Sequence, residues 1–396
     1  MRIGLVIHWF DPQRGGAEQW TFQLTQRLLA AGHEVHVVAQ GFAAAAAGLP
    51  IVPHSLGKIG SRLEFAAAAE RKLRTLALDV VHDMGGGWYA DVFQSHDGSR
   101  LALWERKLAS LPRLVQPLKR WMTKQLPRYR EFRRLVARQF ADPQQIVVAV
   151  SKMVAEDYQH YHGVPGEQIR LVYNGVDTER FSPASCRPYR EAVRQKLAAR
   201  EADVLLLFVG HDFQRKGLAT ALRAAGRLAA ERQPVRLLVV GGRPRQRYLR
   251  LAQRCGLGDA VTFAGAQNDP LPYYAAADAL VLPSFYDPFG LVVLEAAACG
   301  MPVVTSRFTG ASELLSEGVE GYVLSDPADH EELAQRLQPL LEPALRRRMA
   351  EAARRLALRY TFARNCAELL AVYHEVASRR QATAQKACQK VLLPVR

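Results

Sequence analysis

The chain is short of cysteine, of long apolar runs and of negative charge. Its 396 residues hold five cysteines, Cys186, Cys255, Cys299, Cys366 and Cys388, odd in number and scattered. They form no Cys-x-x-Cys pair, which argues against a zinc site or a disulfide framework and for a reducing cytosol. No window reaches the roughly 18 apolar residues that a membrane span requires. The opening run MRIGLVIHWF stops at Asp11, too short for a secretory signal. The expectation is a soluble cytoplasmic protein that can visit a surface. Carboxylates are outnumbered, 38 against 53 Lys and Arg, for a formal net charge of +15. Such a balance favours acidic partners: nucleotides, nucleic acid or an anionic membrane. No Ser-His-Asp or Cys-His arrangement occurs in a recognisable local context, and no metal-ligand cluster. Chemistry would then rest on positioning and electrostatics rather than on a protein nucleophile.

What is present is alternation. Hydrophobic residues make up 49% of a chain long enough for two cores. RIGLVI (2–7) reads as a buried strand, a loop with Gly15-Gly16 follows, and a helix runs from about Ala17 to Ala31. With EVHVVA (34–39) this makes a βαβ unit. Further strands are expected at 80–82, 92–94, 146–150 and 169–172. From about Ser182 to Glu201 the chain turns polar, with Pro183 and Pro188, and the domain link is placed there, giving domains of about 1–180 and 181–360. The second half repeats the logic, with strands at 204–209, 236–240, 261–263, 279–282, 302–305 and 321–324. The fold class is α/β, two Rossmann-like, doubly wound domains facing across a cleft that would hold the ligand. Residues 331–380 read as helix throughout, and 381–396 as a basic, disordered tail.

The richest stretch is Leu280–Gly300, LVLPSFYDPFGLVVLEAAACG. A strand breaks at Pro283-Ser284, a turn carries Asp287-Pro288-Phe289-Gly290, and an apolar helix carries one acid, Glu295. Gly290 lets a ligand approach the backbone, and the helix behind it aims unpaired N–H groups at an anion. This suits a group with both hydroxyls and phosphates, such as a sugar nucleotide. An ordinary strand-loop-helix with one satisfied acid fits the same letters. Arg215-Lys216, in the loop from Gly210 to Gly217, could neutralise a diphosphate or form a solvated basic turn. His96, after the strand at 92–94, could meet a reacting sugar, with Asp97 fixing its tautomer, or be structural. Gly15-Gly16 lacks the G-x-G-x-x-G spacing of a dinucleotide site and is either a ligand contact or plain turn chemistry. Asn174-Gly175-Val176-Asp177 can be a turn and nothing more.

Residues 105–138 are of another kind. Eleven Lys/Arg and two acids interleave with Leu108, Leu111, Leu114, Leu118, Trp121, Met122, Tyr129 and Phe132. An interfacial helix or hairpin on anionic lipid, a solvated helical insertion and a nucleic-acid surface all fit, but no nucleic-acid motif accompanies the segment.

Together these residues resemble the retaining glycosyltransferases of family 4, which have the GT-B fold. The family's acid-x7-acid signature stands here as Asp287-Pro-Phe-Gly-Leu-Val-Val-Leu-Glu295. V-Y-N-G-V-D (172–177), V-G-x-D-F-x-R-K-G (209–217) and A-A-x-D-x-x-x-x-P-S (275–284 region) accompany it. The wording of the second motif, with the basic aromatic insertion, is similar to the lipopolysaccharide core glucosyltransferase I branch. The resemblance implies a hexosyltransferase moving glucose from UDP-glucose onto a lipid-linked or lipopolysaccharide-core sugar at the inner face of the cell membrane. Residues 105–138 would then meet an anionic membrane surface, and nucleic acid would be no partner. It implies that Glu295 holds the ribose, that Arg215 and Lys216 hold the leaving diphosphate, and that N–H groups from Phe289 through Gly290 and Leu291 to Val292 meet the donor. His96 would stand by the anomeric carbon, while Gly15, Gly16 and Gly210 would let backbone approach. It further implies front-face attack with no metal or cofactor, and a last helix crossing back to the first domain. The first acid is Asp287 where the family usually has Glu, so its contact with the sugar is the weakest part of the carry-over. A family 4 enzyme of other donor or acceptor, mannosyl or hexosaminyl, and a nucleotide-sugar epimerase on the same fold are the alternatives.

Overall fold

The computed structural model describes residues 1–109, 113–243 and 246–391. The chain divides into two compact units: Met1–Val172 together with the chain from Asn365 on, and Tyr173–Arg364.

The first unit is built on seven strands: β1 (Arg2–Val6), β2 (Glu34–Ala39), β3 (Val52–Ser55), β4 (Val80–Asp83), β5 (Val92–Phe93), β6 (Ile146–Ala149) and β7 (Ile169–Leu171). They lie in the order β3-β2-β1-β4-β5-β6-β7, all parallel, with Val6 opposite both Val38 and Asp83. Strands so short and apolar are those of a sheet covered on both faces, and Ile3, Leu5, Val37, Val38 and Ile146 to Val148 are almost fully buried. The winding reverses between β1 and β4, and ligands of open α/β sheets bind outside the carboxyl ends at such a reversal. The sequence reading missed β3, whose Pro53 is tolerated because the strand is an edge. It also missed the helix Arg62–Leu73, although Ser61-x-x-Glu64 is a capping pattern and the Ser61 hydroxyl accepts from Glu64 N at 3.4 Å.

Residues 105–138 form parts of three helices, Arg100–Ala109, Gln116–Gln125 and Pro127–Gln139, rather than one helix or hairpin. Pro117 and Pro127 each start a helix, where a missing N–H costs nothing. Leu111 lies outside the described residues. The end of the chain also corrects the expectation. His330–Leu337, Pro343–Arg359 and Phe362–Val391 are separate helices, interrupted around Pro339 and Pro343 and again at Tyr360-Thr361. The last one continues past residue 381, where a disordered tail was expected, because Ala, Gln and Lys there are strong helix formers; 392–396 lie outside the described residues. Its buried residues Cys366, Leu369, Val372, Tyr373 and Val376 follow the helical period. Tyr373 bonds His82 of β4 through its hydroxyl, 2.6 Å from Nδ1, and Glu375 accepts from Arg170 at 2.6 Å.

The second unit carries β8 (Val204–Gly210), β9 (Val235–Gly241), β10 (Val261–Gly265), β11 (Ala279–Leu282), β12 (Val303–Ser306) and β13 (Gly321–Leu324). Their order is β10-β9-β8-β11-β12-β13, again parallel, so its reversal lies between β8 and β11. The polar stretch expected as a linker is instead a helix of this unit, Pro183–Lys196, with Ser182 as N-cap. Its charges have a structural use: Arg190 and Arg194 donate to Asp278 at 2.6 and 3.0 Å. Asp278 in turn accepts from Leu205 N of β8 at 2.8 Å. The units divide between Val172 and Tyr173. The neighbouring Asn174–Asp177 motif is more than a turn. Val176 N donates to Tyr360 O and Phe362 N to Val176 O, at 3.0 and 2.9 Å, tying the start of this unit to its last segment.

Candidate active site

In the second unit the reversal brings two loops together, the one after β8 (211–217) and the one after β11 (283–290). The first is shaped by Asp212, whose backbone carbonyl accepts from Lys216 N at 2.9 Å and whose carboxylate accepts from Arg215 N at 3.2 Å. Phe213 anchors it, packed edge-on against Phe208 and Tyr248. Gly217 has φ +80, and a Cβ there would lie 1.9 Å from Pro283 O, so only glycine lets the loops meet. The second loop answers with Phe285 N donating to Arg215 O at 2.8 Å.

This junction joins Lys216 to Asp287. The Lys216 ammonium contacts Asp287 Oδ2, both side chains nearly buried. Asp287 is held through its backbone, N to Phe308 O at 2.8 Å and O from Gly310 N at 2.9 Å. Its carboxylate therefore reaches the cation expected to take the diphosphate, a pairing the sequence reading did not foresee. The Arg215 guanidinium lies 3.7 Å from Asp212 and is partly exposed. Gly290 adopts φ +83 as N-cap of the helix Leu291–Ala298, with its Cβ position 2.7 Å from Thr309 Cγ2. The first-turn N–H groups of Leu291 and Val292 lack intrahelical acceptors by helix geometry. The Phe289 side chain is buried and its carbonyl accepts from Ala311 N at 2.7 Å, so this residue contributes backbone. Gly210 ends β8 beside Gly241 of β9.

Glu295 is half-buried on the same helix, and its Oε2 accepts from the Tyr274 hydroxyl at 2.6 Å. Burial raises its pKa, opposed by that hydrogen bond and by the charges of Arg180 and Lys216. Tyr274 is the residue the sequence reading overlooked here; the signal was a tyrosine pair just ahead of the Ala-Ala-x-Asp motif. Ser284 is fully buried at the junction, with an Oγ that has no partner among the described residues.

In the first unit, Gly15 and Gly16 open the helix Gly16–Ala30 after β1. Gly15 is extended, and its Cβ position lies 2.9 Å from the Glu18 carboxylate, so the glycine makes room for a side chain folded back over the loop. Burial raises the Glu18 pKa, with Asp97 adding to the effect. His96 is half-buried, its ring centroid 4.4 Å from that of Trp20, its buried Nε2 without a partner among the described residues. Burial pushes its pKa down to about 4, so the imidazole is neutral near pH 7. The glycine run after β4 is held by Asp83, which accepts from the N–H groups of Gly85, Gly86 and Gly87 at 2.7, 2.7 and 2.6 Å. Burial nevertheless pushes Asp83 up to about 7. Asp83 is a second residue missed by a reading that saw only the glycines.

Each unit thus presents polar groups at its own reversal: in the first a neutral imidazole and carboxylates, in the second cations, a helix N-terminus and two acids. The second set can hold an anion and hydroxyls together. Two family models match this chain, Glycosyltransferase Family 4 over residues 14–180 and Glycosyl transferases group 1 over residues 189–356. Lipopolysaccharide glucosyltransferase WaaG of Escherichia coli is 27% identical over 351 residues, 87% of this chain and 91% of that protein. D-inositol 3-phosphate glycosyltransferase of Geodermatophilus obscurus is 32% identical over 271 residues, 63% of this chain; the alignment spans only 58% of that relative. Among solved structures, that of WaaG superposes with TM-score 0.78 at 24% identity, covering 94% of this chain and 99% of that one. HepE of Anabaena in complex with UDP-glucose gives TM-score 0.71 at 19% identity, covering 96% and 100%. With both models matched in sequence order over most of its length and a doubly wound sheet in each unit, the chain belongs to the glycosyltransferases of the GT-B fold.

Proposed function

We propose that the protein transfers a hexose, glucose from UDP-glucose, to a lipid-linked or lipopolysaccharide-core sugar with retention of anomeric configuration. The observation that carries this reading is the junction of the β8 and β11 loops, where Lys216, Arg215, Asp287, Glu295 and the start of the helix Leu291–Ala298 converge. A diphosphate would take Lys216 as a point charge and Arg215 as a bidentate donor. The N–H groups of Leu291 and Val292 add the helix dipole. Glu295, already accepting from Tyr274, has a second oxygen for ribose hydroxyls. The leaving group's charge is met by fixed cations and dipoles, so this mechanism calls on no metal ion. No side chain is assigned the role of covalent nucleophile; the acceptor hydroxyl attacks from the face the diphosphate leaves, and the diphosphate takes its proton. A neutral His96 can donate or accept a hydrogen bond at the transferred sugar without adding charge. The names of WaaG, a glucosyltransferase, and of the HepE complex with UDP-glucose support the donor.

The acceptor reading has its own observation. The helix Gln116–Gln125 buries no residue, and Leu114, Leu118, Trp121 and Met122 are 95, 60, 62 and 50% exposed. Arg113, Arg120 and Lys124 stand among them around a cavity of 340 Å³. Apolar and cationic groups mixed on one exposed helix suit the interface of an anionic membrane, and a lipid-borne acceptor would be met at the inner face of that membrane. Among the described residues no helix is long and apolar enough to cross one.

The test is transfer itself. The purified protein is incubated with UDP-, GDP- and ADP-sugars with and without lipopolysaccharide-core acceptors, and the product anomer is read by NMR. Transfer from UDP-glucose with retention, lost in Glu295→Ala, is expected. Sugar interconversion without acceptor, or no preference for uridine, would overturn it. Neutralising Lys119, Arg120, Lys124 and Arg128 should lower binding to anionic liposomes and leave donor binding unchanged; equal liposome binding would refute the membrane role.

A further inference from the structure

Two of the buried cysteines lie against each other. Cys186 is one turn into the helix Pro183–Lys196 and Cys299 caps the helix Leu291–Ala298, where the two helix ends meet, and each thiol shifts the pKa of the other. The surroundings hold the two helices together. A Cβ at Gly300 would sit 3.4 Å from Pro183 Cγ. The Arg354 guanidinium donates to Phe181 O at 2.9 Å, ahead of the first helix, and to Ala298 O at 2.8 Å, at the end of the second. Both cysteines keep a sliver of exposure, 7% and 9%. Neither sulfur takes part in the proposed transfer.

We propose that Cys186 and Cys299 are a disulfide-forming pair, which a small oxidising disulfide closes to lock the Glu295-bearing helix to the helix Pro183–Lys196. Cys186 is the attacking thiol. Its pKa is lowered first by the hydrogen bond from Cys299 and then, against burial, by the Arg190 charge, whereas that of Cys299 is raised. The thiolate, not the thiol, is the nucleophile. Cys186 attacks one sulfur of the oxidant, giving a mixed disulfide and releasing one thiol. Cys299 loses its proton to solvent and attacks the Cys186 sulfur, releasing the second thiol. Two protein thiols are oxidised and one disulfide is reduced to two thiols. In a reducing compartment the pair stays open, so its state follows the ambient redox poise.

The bond would close a loop of about a hundred residues, within the range where such a constraint stabilises most. It would also fix the turn after Glu295, because Cys299 N donates to Glu295 O at 3.0 Å. An effect on donor affinity rests on the function proposed above; the linkage does not. The full chain is treated with oxidised glutathione, alkylated, digested without reduction and mapped by mass spectrometry. The expected result is a linked peptide pair carrying residues 186 and 299. The second unit's melting temperature should rise on the order of 5 °C, reversed by dithiothreitol and absent in Cys186→Ala and Cys299→Ala. Glutathionylation of the half-exposed Cys255 shows that the oxidant has acted. If Cys255 is modified while Cys186 and Cys299 remain alkylatable after denaturation, or if the only linkage is intermolecular, the proposal is wrong. Unchanged UDP-glucose affinity in the linked protein would limit the lock to stability; absence of any UDP-glucose binding in either form would count against the donor reading and leave the linkage intact.

Discussion

The Lys216–Asp287 pair carries opposing charges that are almost fully withdrawn from water, with side-chain exposures of 12% and 8%. At such burial, removing one partner leaves a charge uncompensated and costs about 3–5 kcal/mol, while removing both is far cheaper. Lys216→Met keeps the stem that packs beside Gly210, whose Cβ position is 3.0 Å from Lys216 Cγ. Asp287→Asn keeps the backbone bonds to Phe308 and Gly310. Each single substitution should therefore destabilise the second unit by about 3 kcal/mol, and the double variant by clearly less than their sum, a coupling of about 2 kcal/mol. All five tryptophans, Trp9, Trp20, Trp88, Trp104 and Trp121, belong to the first unit. Calorimetry should thus show the loss while the tryptophan-fluorescence transition stays in place. Donor affinity should remain lost in the double variant, because a diphosphate needs the ammonium itself. Additive losses, or a donor affinity restored with stability, would refute this account of the pair.

Tyr274→Phe removes the hydroxyl that bonds Glu295 and leaves the ring packed edge-on against Phe181. A hydrogen bond to a charged group contributes about 1.5–3 kcal/mol, so Glu295 should hold its proton to higher pH and the acidic limb of donor binding should move upward, read by calorimetric titration across pH. The first unit should weaken in acid. Burial holds His8, His96 and His162 near 4 and His82 near 3, below their ordinary 6.5, so the unfolded chain takes up protons first and stability falls as pH drops from 6.5 towards 4. Asp83, pushed up to about 7, acts oppositely, losing stability as pH rises from 3.8 to 7, and burial raises Glu18 and Asp91 in the same sense, but burial lowers six histidines of this unit, His33 and His54 with the four above. Fluorescence melts between pH 4 and 8 check the sign. Gly217→Ala should cost several times what Gly32→Ala costs. Both have left-handed backbone, worth about 1–2 kcal/mol against alanine, but only at Gly217 would the new Cβ meet a carbonyl at 1.9 Å, while nothing lies within 4 Å of a Cβ at Gly32; thermal melts compare them.

Most of the β-strands were legible because they are short runs rich in Val, Leu and Ile, a pattern that survives tertiary packing. The helix Pro183–Lys196 was not, since its Arg190 and Arg194 look like a polar linker until Asp278 is seen to receive them. Strand β3 hid behind Pro53, and the tail beyond Arg380 was judged by charge rather than by helix propensity. At the candidate site, Glu295, Gly290 and Lys216 could be singled out because motif and turn chemistry mark them locally. The bond of Tyr274 to Glu295 and the pairing of Lys216 with Asp287 could not, because each depends on which segments the fold brings side by side, and spacing along one segment does not encode that. Asp83 is a local omission, since the glycines it holds lie two to four residues further on.

The most direct measurement is a titration of the whole protein with UDP-glucose, compared with Glu295→Ala and with GDP-glucose as competitor. The account predicts saturable binding of UDP-glucose, weakened at least about tenfold in Glu295→Ala, the loss expected for a charge-assisted hydrogen bond of about 1.5 kcal/mol or more. Equal affinity in wild type and Glu295→Ala, with both variants folded, would contradict it.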